Sequence, residues 1–294
     1  MKTVLVTGAQ GFVGAHLWSA LVRNGLDPVQ FDGDIRNRDT VAARVAEVAP
    51  DAVVHLAALA SVAASWGAEH DVWDVNATGT HNLVSAIREH APTARFVAVS
   101  SADVYGVVPE NEQPIAEVQA CAPCSPYGVS KLAAEVPVLH SGLDAVVARP
   151  FPHLGPGQDE RFAIASFAAQ ISRIEAGSED AVLRVGNLNA RRDFTDVRCV
   201  ADAYVALLHA RVTGIVNIAS GTADRVGDVL ERLLALATVP IEIAVDEARL
   251  RPADVPLLCG DATRIREATR WTPRRSLDET LSDTLDAFRR KGPA

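Results

Sequence analysis

A glycine-rich turn near the start of the chain limits the fold more than any other feature of this sequence. The apolar run at residues 4–7 leads directly into Gly8, and two further glycines follow at positions 11 and 14. Residues 15–24 then have the pattern of a helix. A strand, a G-x-x-G-x-x-G turn and a helix in this order predict the phosphate-binding turn of a dinucleotide-binding fold.

Each glycine of this turn has its own physical task. Gly8 permits the tight turn, Gly11 lets backbone amides approach a pyrophosphate, and Gly14 lets the helix pack closely on the strand. The pyrophosphate is expected at the helix N-terminus, where unpaired N–H groups and the helix dipole favour an anion. The predicted cofactor contacts in the turn are Gly8, Gln10, Gly11, Phe12, Val13 and Gly14.

Short apolar runs alternate with amphipathic stretches through the first half of the chain. Residues 4–7, 53–57 and 96–100 read as buried strands, and residues 40–49 and 76–90 as crossover helices. This alternation predicts the α/β class, with a Rossmann-type doubly wound parallel sheet and a smaller α/β substrate domain toward the C-terminus. We expect residues 1–150, with 187–220 returning to them, to bind the dinucleotide. Residues 151–186 and 221–294 are expected to form the substrate-binding domain.

Composition excludes several classes of function. The 294 residues carry a net charge of −9, which argues against general nucleic-acid binding. No run of ~18 apolar residues is present, and the N-terminus lacks a signal-peptide pattern, so we expect a cytoplasmic protein without a membrane partner. The four cysteines are too few for a disulfide scaffold. Cys121 and Cys124 lack a second ligand pair at zinc spacing, so no metal is expected.

An acidic position follows the predicted second strand at residues 28–31. Asp32 lies eighteen residues after Gly14, where a carboxylate would bond the adenosine ribose and repel a 2′-phosphate. This favours NAD over NADP, and NADP stays as the alternative cofactor. Little chain separates Asp32 from the next helix, so the second and third strands are merged or one is missing. Asp34 would then lie beside the adenine, and Asp32, Asp34 and Ile35 are the predicted contacts.

A tyrosine and a lysine stand four residues apart at Tyr127 and Lys131, which on a helix places both on one face. A phenol with a pKa near ~10 is a poor base, and a neighbouring ammonium is expected to lower that pKa. Upstream, the apolar residues 97–99 end in Ser100 and Ser101, at the sheet edge where a substrate oxygen is expected.

With these residues in place, the sequence resembles the extended short-chain dehydrogenase/reductase family over nearly its whole length. The matching segments are TGAQGFVG at 7–14, HLAA at 55–58, NATGT at 76–80, SADVYG at 101–106 and SPYGVSK at 125–131. The resemblance implies catalytic roles for Ser101, Tyr127 and Lys131, with Lys131 also holding the nicotinamide ribose. It adds Leu56, Ala57, Ala58, Tyr127, Lys131 and Pro150 as cofactor contacts, and Ser61 as a substrate contact.

The C-terminal half is similar to the GDP-4-keto-6-deoxy-D-mannose reductases and the GDP-mannose 4,6-dehydratases. The shared segments are HLGPGQ at 153–158, VGNL at 185–188, RDFTDV at 192–197 and RPADVP at 251–256. This similarity implies a nucleoside-diphosphate sugar as partner. Arg192 and Arg251 would then grip the diphosphate and Asp254 a ribose, with His153 and Asp103 near the sugar.

Three reactions and one non-catalytic role compete. Dehydratases carry a glutamate base two residues after the catalytic Ser/Thr; Asp103 is one methylene shorter, which disfavours dehydration. The C-terminal segments favour reduction of a nucleotide-linked 4-keto-6-deoxyhexose. Asp32 suits the tightly held NAD of a 4-epimerase, which is the alternative. A dinucleotide-binding sensor without catalysis is a further alternative, which the Tyr127/Lys131 pair argues against.

Two prolines depart from the family pattern. Pro152 stands where relatives carry an asparagine that contacts the substrate phosphate, and it has no N–H or amide to offer. Pro137 falls about two turns after Tyr127, so we expect that helix to end or bend near Val136. In relatives this helix packs against its copy in a homodimer, which is also the assembly expected here.

Overall fold

The computed structural model describes residues 1–249 and 255–292. Strands and helices alternate through the first 150 residues, in the order expected from the sequence. They are β1 (Thr3–Thr7), α1 (Phe12–Arg23), β2 (Asp27–Gln30), α2 (Arg38–Val48), β3 (Ala52–His55), α3 (Val62–Ser65), α4 (Glu69–Trp73), α5 (Gly79–His90), β4 (Arg95–Val99), α6 (Pro126–Leu139) and β5 (Ala145–Pro150).

The second half contains shorter strands between helices. Its elements are β6 (His153–Leu154), α7 (Ala163–Glu175), β7 (Val182–Val185), β8 (Arg191–Arg192), β9 (Thr195–Asp196), α8 (Val197–His209), β10 (Gly214–Ile218), β11 (Asp224–Arg225), α9 (Val226–Leu234), β12 (Glu242–Val245), β13 (Leu257–Leu258), α10 (Thr263–Thr269) and α11 (Leu277–Lys291).

Six strands form one parallel sheet in the order β10-β5-β4-β3-β1-β2. Successive residues of these strands point to opposite faces, and both faces are buried. Helices α1 and α8 cover one face, while α2, α5 and α6 cover the other. The predicted Rossmann-type α/β fold is therefore confirmed.

The sheet resolves the question left open around Asp32. Strand β2 pairs with β1 and is the last strand on that side, and the chain enters α2 at Arg38 without another strand. One strand is thus missing, and none is merged into β2. The short connection leaves residues 32–36 at the open carboxyl edge beside the glycine turn.

Helix α6 differs from the expectation at Pro137. It begins with Ser125 as N-cap, whose side chain accepts a hydrogen bond from the Gly128 N–H, and with Pro126 in the first turn. It then continues past Val136 to Leu139, with Pro137 inside it. Of the two expected outcomes, an end near Val136 is not what the structure has, and a bend there stays a prediction. Because only two residues of α6 follow Pro137, the proline disturbs only the final turn of the helix.

A separate apolar core lies outside the large sheet. It is built from α7, β7, α9 and α11, with Leu154 and Ala190 at its margin. Most of this third core comes from residues assigned to the substrate-binding part, but Ala190 also belongs to it, and Ile265 and Trp271 pack in the core of the large sheet. The domain limits given from the sequence stay a prediction. Within the described ranges, no helix combines the length and apolarity needed to cross a bilayer.

Candidate active site

A cavity of about 460 Å³ opens at the glycine turn. Gly8 has φ +71°, and a Cβ built on it would lie 2.8 Å from the Ala57 nitrogen. A Cβ on Gly14 would lie 2.3 Å from the Gly8 oxygen. Side chains at these positions would push the turn off β3 and off its own helix, so the cavity exists because both residues are glycine.

The cavity meets the N-terminus of α1. Gly11 is the N-cap and has no side chain to accept from the first N–H groups of the helix. These donors suit an anion, and Gly8, Gln10 and Gly11 line the cavity beside them. The residues present therefore fit the pyrophosphate of a dinucleotide.

The far end of the cavity is acidic and contains one arginine. Asp32, Asp34 and Ile35 line it as predicted, together with Gln30 and Arg36. Gln30 Nε2 donates to Asp32 Oδ1 at 2.5 Å, and Arg36 Nη2 donates to Asp34 Oδ2 at 2.7 Å. The hydrogen bonds from Arg36 hold the pKa of Asp34 below its usual value. An adenosine ribose placed here meets two carboxylates and one guanidinium.

Some predicted cofactor contacts lie beside the cavity lining instead of in it. Ala57 lines the cavity, whereas Leu56 and Ala58 flank it at the end of β3. The remaining residues outside the lining are Phe12, Val13, Gly14, Tyr127, Lys131 and Pro150. Their assignment as cofactor contacts stays a prediction.

Tyr127 lies in the first turn of α6 and its side chain is 7% exposed. Burial raises the pKa of its phenol, the negative charge of Asp103 raises it further, and a hydrogen bond with Ser101 lowers it. Sequence reasoning expected a pKa lowered by the neighbouring ammonium, and that expectation was wrong. Desolvation sets the direction of the shift because charging a phenol inside the protein removes its water. Tyr127 is therefore a protonated acid at neutral pH.

The serine predicted to be catalytic is hydrogen-bonded to its acidic neighbour. Ser101 follows β4 and its Oγ donates to Asp103 Oδ2 at 2.8 Å, while the Asp103 N–H donates back to Ser101 Oγ at 3.1 Å. These two bonds form the cap of a short helical turn at Ala102–Val104. The structure thus brings Ser101, Asp103 and Tyr127 together, as their assignment to one site requires.

Lys131 lies one turn after Tyr127 on the same side of α6. Its Nζ donates to the Val99 carbonyl at 2.6 Å, at the carboxyl end of β4, and the side chain is buried. Burial lowers the pKa of Lys131 to about 8, while the charge of Glu135 opposes that fall. The Lys131 ammonium consequently titrates close to neutral pH.

Four of the predicted substrate contacts, Ser61, Asp103, His153 and Arg192, lie outside the lining of the cavity. His153 lies on β6, and its ring is parallel to that of Phe12 with centroids 6.2 Å apart. Its Nδ1 is 3.0 Å from the Phe151 carbonyl, and burial lowers its pKa. Since the carbonyl can only accept, Nδ1 carries the proton and Nε2 is left as an acceptor.

Only two of the four remaining predicted substrate residues lie in the described part of the chain. Ser61 is the N-cap of α3 and accepts from the Ala64 N–H. Arg192 is half-buried on β8, and its Nη1 donates to the Arg191 carbonyl at 3.0 Å. Arg251 and Asp254 lie outside the described residues. The predicted diphosphate and ribose contacts of these four residues stay predictions.

Pro152 keeps a structural task at the position of the family asparagine. Its carbonyl accepts from the Thr195 N–H at 3.0 Å, next to the parallel pairing of β6 with β9. It offers no donor to a substrate phosphate. The predicted loss of that contact is therefore consistent with the chemistry of the residue in place.

Sequence reasoning missed the contacts of a side-chain amide that connects α6 to the segment after β3. Asn76 lies in a π-helical turn at Asp74–Thr78. Its Oδ1 accepts from the Leu59 N–H at 2.9 Å, and its Nδ2 donates to Ser130 Oγ at 2.9 Å, which in turn donates to the Tyr127 carbonyl at 2.7 Å. The NATGT segment carried the signal, but its partner on α6 is distant in sequence.

The comparisons with known proteins agree with this geometry. A family model described as GDP-mannose 4,6 dehydratase matches residues 28–284. The GDP-6-deoxy-D-mannose reductase of Pseudomonas aeruginosa is 37% identical over 293 residues, which are 97% of this chain and 96% of that protein.

Solved structures show the same similarity. The structure of RMD from Pseudomonas aeruginosa complexed with NADPH superposes with a TM-score of 0.91 at 34% identity, covering 99% of this chain and 100% of that one. The UDP-glucose 4-epimerase of Thermus thermophilus, in complex with NAD, has a TM-score of 0.86 at 29% identity, covering 98% and 99%.

A parallel sheet with a glycine turn at its edge, joined to a serine, a tyrosine and a lysine, defines a nicotinamide-dependent enzyme of the short-chain dehydrogenase type. Within that class, the chain belongs to the GDP-mannose 4,6-dehydratase family of extended short-chain dehydrogenases/reductases.

Proposed function

We propose that this protein reduces the 4-keto group of a GDP-linked 4-keto-6-deoxyhexose, GDP-4-keto-6-deoxy-D-mannose, to the alcohol. The observation that carries the proposal is the buried Tyr127 phenol hydrogen-bonded with Ser101, whose own hydroxyl is bonded to Asp103. In the reduction, this phenol is the acid that protonates the sugar oxygen. The similarity to the reductase of Pseudomonas aeruginosa along almost the whole chain supports the same reaction.

Each residue of the site has a separate task in this reaction. The bound nicotinamide cofactor supplies the hydride. Tyr127 gives its proton to the sugar oxygen, and Lys131 then stabilises the phenolate by its positive charge. Ser101 turns its hydroxyl from Asp103 toward the sugar oxygen, which both orients the ketone and stabilises the charge that develops on it.

The proposal is tested by incubating the protein with GDP-4-keto-6-deoxy-D-mannose and either NADPH or NADH. We expect the absorbance of the reduced cofactor to fall in the presence of the keto sugar and to stay constant with GDP-mannose. A constant absorbance with both sugars and both cofactors would reject the reductase. The 4-epimerase remains the second candidate because Asp32 lines the adenosine end of the cavity and a similar epimerase holds NAD.

Cofactor choice is proposed to depend on Asp32. Its carboxylate accepts from Gln30 at the open end of the cavity and would repel a 2′-phosphate, which favours NADH. Replacing Asp32 with asparagine is expected to improve kcat/KM for NADPH relative to NADH by about tenfold, or ~1.4 kcal/mol. The matched control is Asp27→Asn at the start of the same strand, which should leave the ratio unchanged. An unchanged ratio in Asp32→Asn would place the discrimination elsewhere.

The pH dependence of the reduction follows from two groups. Tyr127 stays protonated above neutral pH, and Lys131 loses its proton as pH rises through about 8. We therefore expect kcat/KM to be level below that pH and to fall above it, because the neutral amine no longer stabilises the phenolate. Initial rates measured from roughly pH 6 to pH 10 would show this fall, the alkaline limb of the pH profile. A rate that increases above pH 8 would contradict the assignment of Tyr127 as acid.

We also propose that the protein is a homodimer held by α6. Its outer face carries Val129, Val136 and Leu139, all exposed. The proposed dimer is expected to have twice the mass of one chain by light scattering. Val136→Asp should yield the monomer, since a carboxylate in an apolar interface is desolvated without a partner. Val22→Asp is the control because Val22 on α1 is 57% exposed, against 55% for Val136. A monomeric wild type would refute the proposal.

A further inference from the structure

A buried ion pair lies beneath the catalytic lysine. Glu135 follows Lys131 by one turn on α6, and its side chain is 3% exposed, as is that of its partner Arg149 on β5. Arg149 Nε donates to Glu135 Oε1 at 2.8 Å, and Arg149 Nη2 donates to Glu135 Oε2 at 2.6 Å. Ser100, at the end of β4, adds a third bond to Oε1 at 2.5 Å. The carboxylate is therefore held in one orientation.

The arginine of this pair is itself fixed from the other side. Its guanidinium carbon lies 4.7 Å from the centroid of the Tyr105 ring, within the range of a cation–π interaction. The Tyr105 hydroxyl donates to Asn217 Oδ1 at 2.7 Å. Arg149 thus cannot leave Glu135 without losing the stacking.

Glu135 and Lys131 line the same small cavity. Its volume is about 10 Å³, enough for one water molecule. The polar residues that line it are His55, Thr80, Ser100, Lys131 and Glu135. Opposite charges facing one small, buried space attract each other more strongly than they would in bulk water.

We propose that Glu135 is a positioning residue for the reaction, whose buried negative charge holds the Lys131 side chain in place and in its charged form. Glu135 does not touch substrate or cofactor; it acts through the lysine. The inference rests on the proposed function for its activity readout. It goes beyond that function because it assigns a task to a residue outside the Ser101, Tyr127 and Lys131 set.

The other titratable groups around Lys131 do not have the role proposed for Glu135. Burial lowers the pKa of Lys131 to about 8, and Glu135 is the charge that opposes the fall. His55 on β3 is neutral, with both ring nitrogens bonded to Thr7 and Thr80 and its pKa lowered to about 3 by burial and by Lys131. The remaining titratable groups lie on α6 itself or on described elements that pack against it. They are Tyr127, Asp103 and Arg149, then Glu69, His70, Asp71 and Asp74 on α4 and the π-turn, and His81, Arg88, Glu89 and His90 on α5.

The test compares the pH profile of kcat/KM in wild type and Glu135→Gln. Glutamine keeps the size of the side chain and a hydrogen-bonding oxygen but removes the charge. The alkaline limb is expected to move down by about one pH unit, so that activity on this limb falls about tenfold. The conservative Glu135→Asp should return the limb toward the wild-type position. Glu175→Gln is the matched control, since Glu175 is also bonded twice by an arginine, Arg289, on other elements.

A second variant protects the test against loss of folding. Glu135→Gln leaves Arg149 without its counter-charge, so the double variant Glu135→Gln/Arg149→Gln replaces the ion pair by two neutral amides. The double variant also lacks the Glu135 charge, so its limb should likewise lie below that of wild type. A folded variant, single or double, whose limb coincides with that of wild type would overturn the inference.

A readout without substrate separates this inference from the proposed function. The affinity for NADPH and NADH is measured by cofactor fluorescence as a function of pH. It is expected to fall over the same alkaline pH range as kcat/KM, because Lys131 is proposed to hold the nicotinamide ribose. If wild type reduces no keto sugar but the binding limb still moves in Glu135→Gln, the function fails and the inference stands. If wild type is active and neither limb moves, the inference alone fails.

Discussion

Replacing Tyr127 with phenylalanine is expected to lower kcat for reduction of the keto sugar by about 10³-fold, the contribution of a positioned general acid. The ring stays in place, so packing and cofactor affinity should change little. Only the proton that the alkoxide requires is lost. Single-turnover rates of cofactor oxidation measure the effect without interference from product release.

The matched control is Tyr204→Phe. Tyr204 on α8 is fully buried, and its hydroxyl has no hydrogen-bond partner among the described residues. Removing that hydroxyl should leave kcat within about twofold of wild type, since the substitution breaks no hydrogen bond. If Tyr127→Phe retained kcat within about tenfold, the proton would have another source, and the role given to this tyrosine would be wrong.

Replacing Lys131 with methionine is the second variant with a large expected effect. The methionine fills the volume of the lysine stem, but the positive charge beside Tyr127 and the donor to the Val99 carbonyl are gone. We expect kcat/KM to fall by about 10³-fold and the affinity for reduced cofactor to fall by about tenfold, or ~1.4 kcal/mol. Equilibrium binding by cofactor fluorescence and steady-state rates separate the two effects.

The alkaline limb of the pH profile gives this variant a second test. Because that limb is assigned to Lys131, it should disappear in Lys131→Met while the remaining activity stays level across the same pH range. Lys291→Met, near the end of α11, is the control and should behave as wild type. A limb that persists near pH 8 in Lys131→Met would assign it to a different group.

The fold could be predicted from local patterns because they are strong and short-ranged. The alternation of buried strands with helices, the glycine turn and the serine N-cap before Tyr127 are all readable over a few residues, and the structure places the elements within a few residues of their expected bounds. The missing strand after Asp32 was one of two alternatives because a short connection does not show which strand is absent. Pro137 does not end α6 at Val136, because a proline in a last turn costs far less than one in the middle of a helix.

The electrostatics of the site were the part that could not be predicted from the sequence. Spacing placed Tyr127 and Lys131 on one side of a helix, but whether a neighbouring charge or burial sets the pKa of a phenol depends on how much water the fold excludes. Likewise, Glu135 reads as an ordinary helix residue until Arg149, fourteen positions away, is known to face it. The network through Asn76 was hidden for the same reason, since its partner Ser130 lies on another helix.

The central claim is that this protein delivers a hydride and a proton to a keto sugar and does not merely hold or epimerise it. Mass spectrometry of the nucleotide sugar after incubation with a limiting amount of reduced cofactor tests that claim directly. We predict one molecule of product, heavier than the keto sugar by two hydrogen atoms, for each molecule of cofactor oxidised. A sugar recovered at unchanged mass, with the cofactor still reduced, would contradict it.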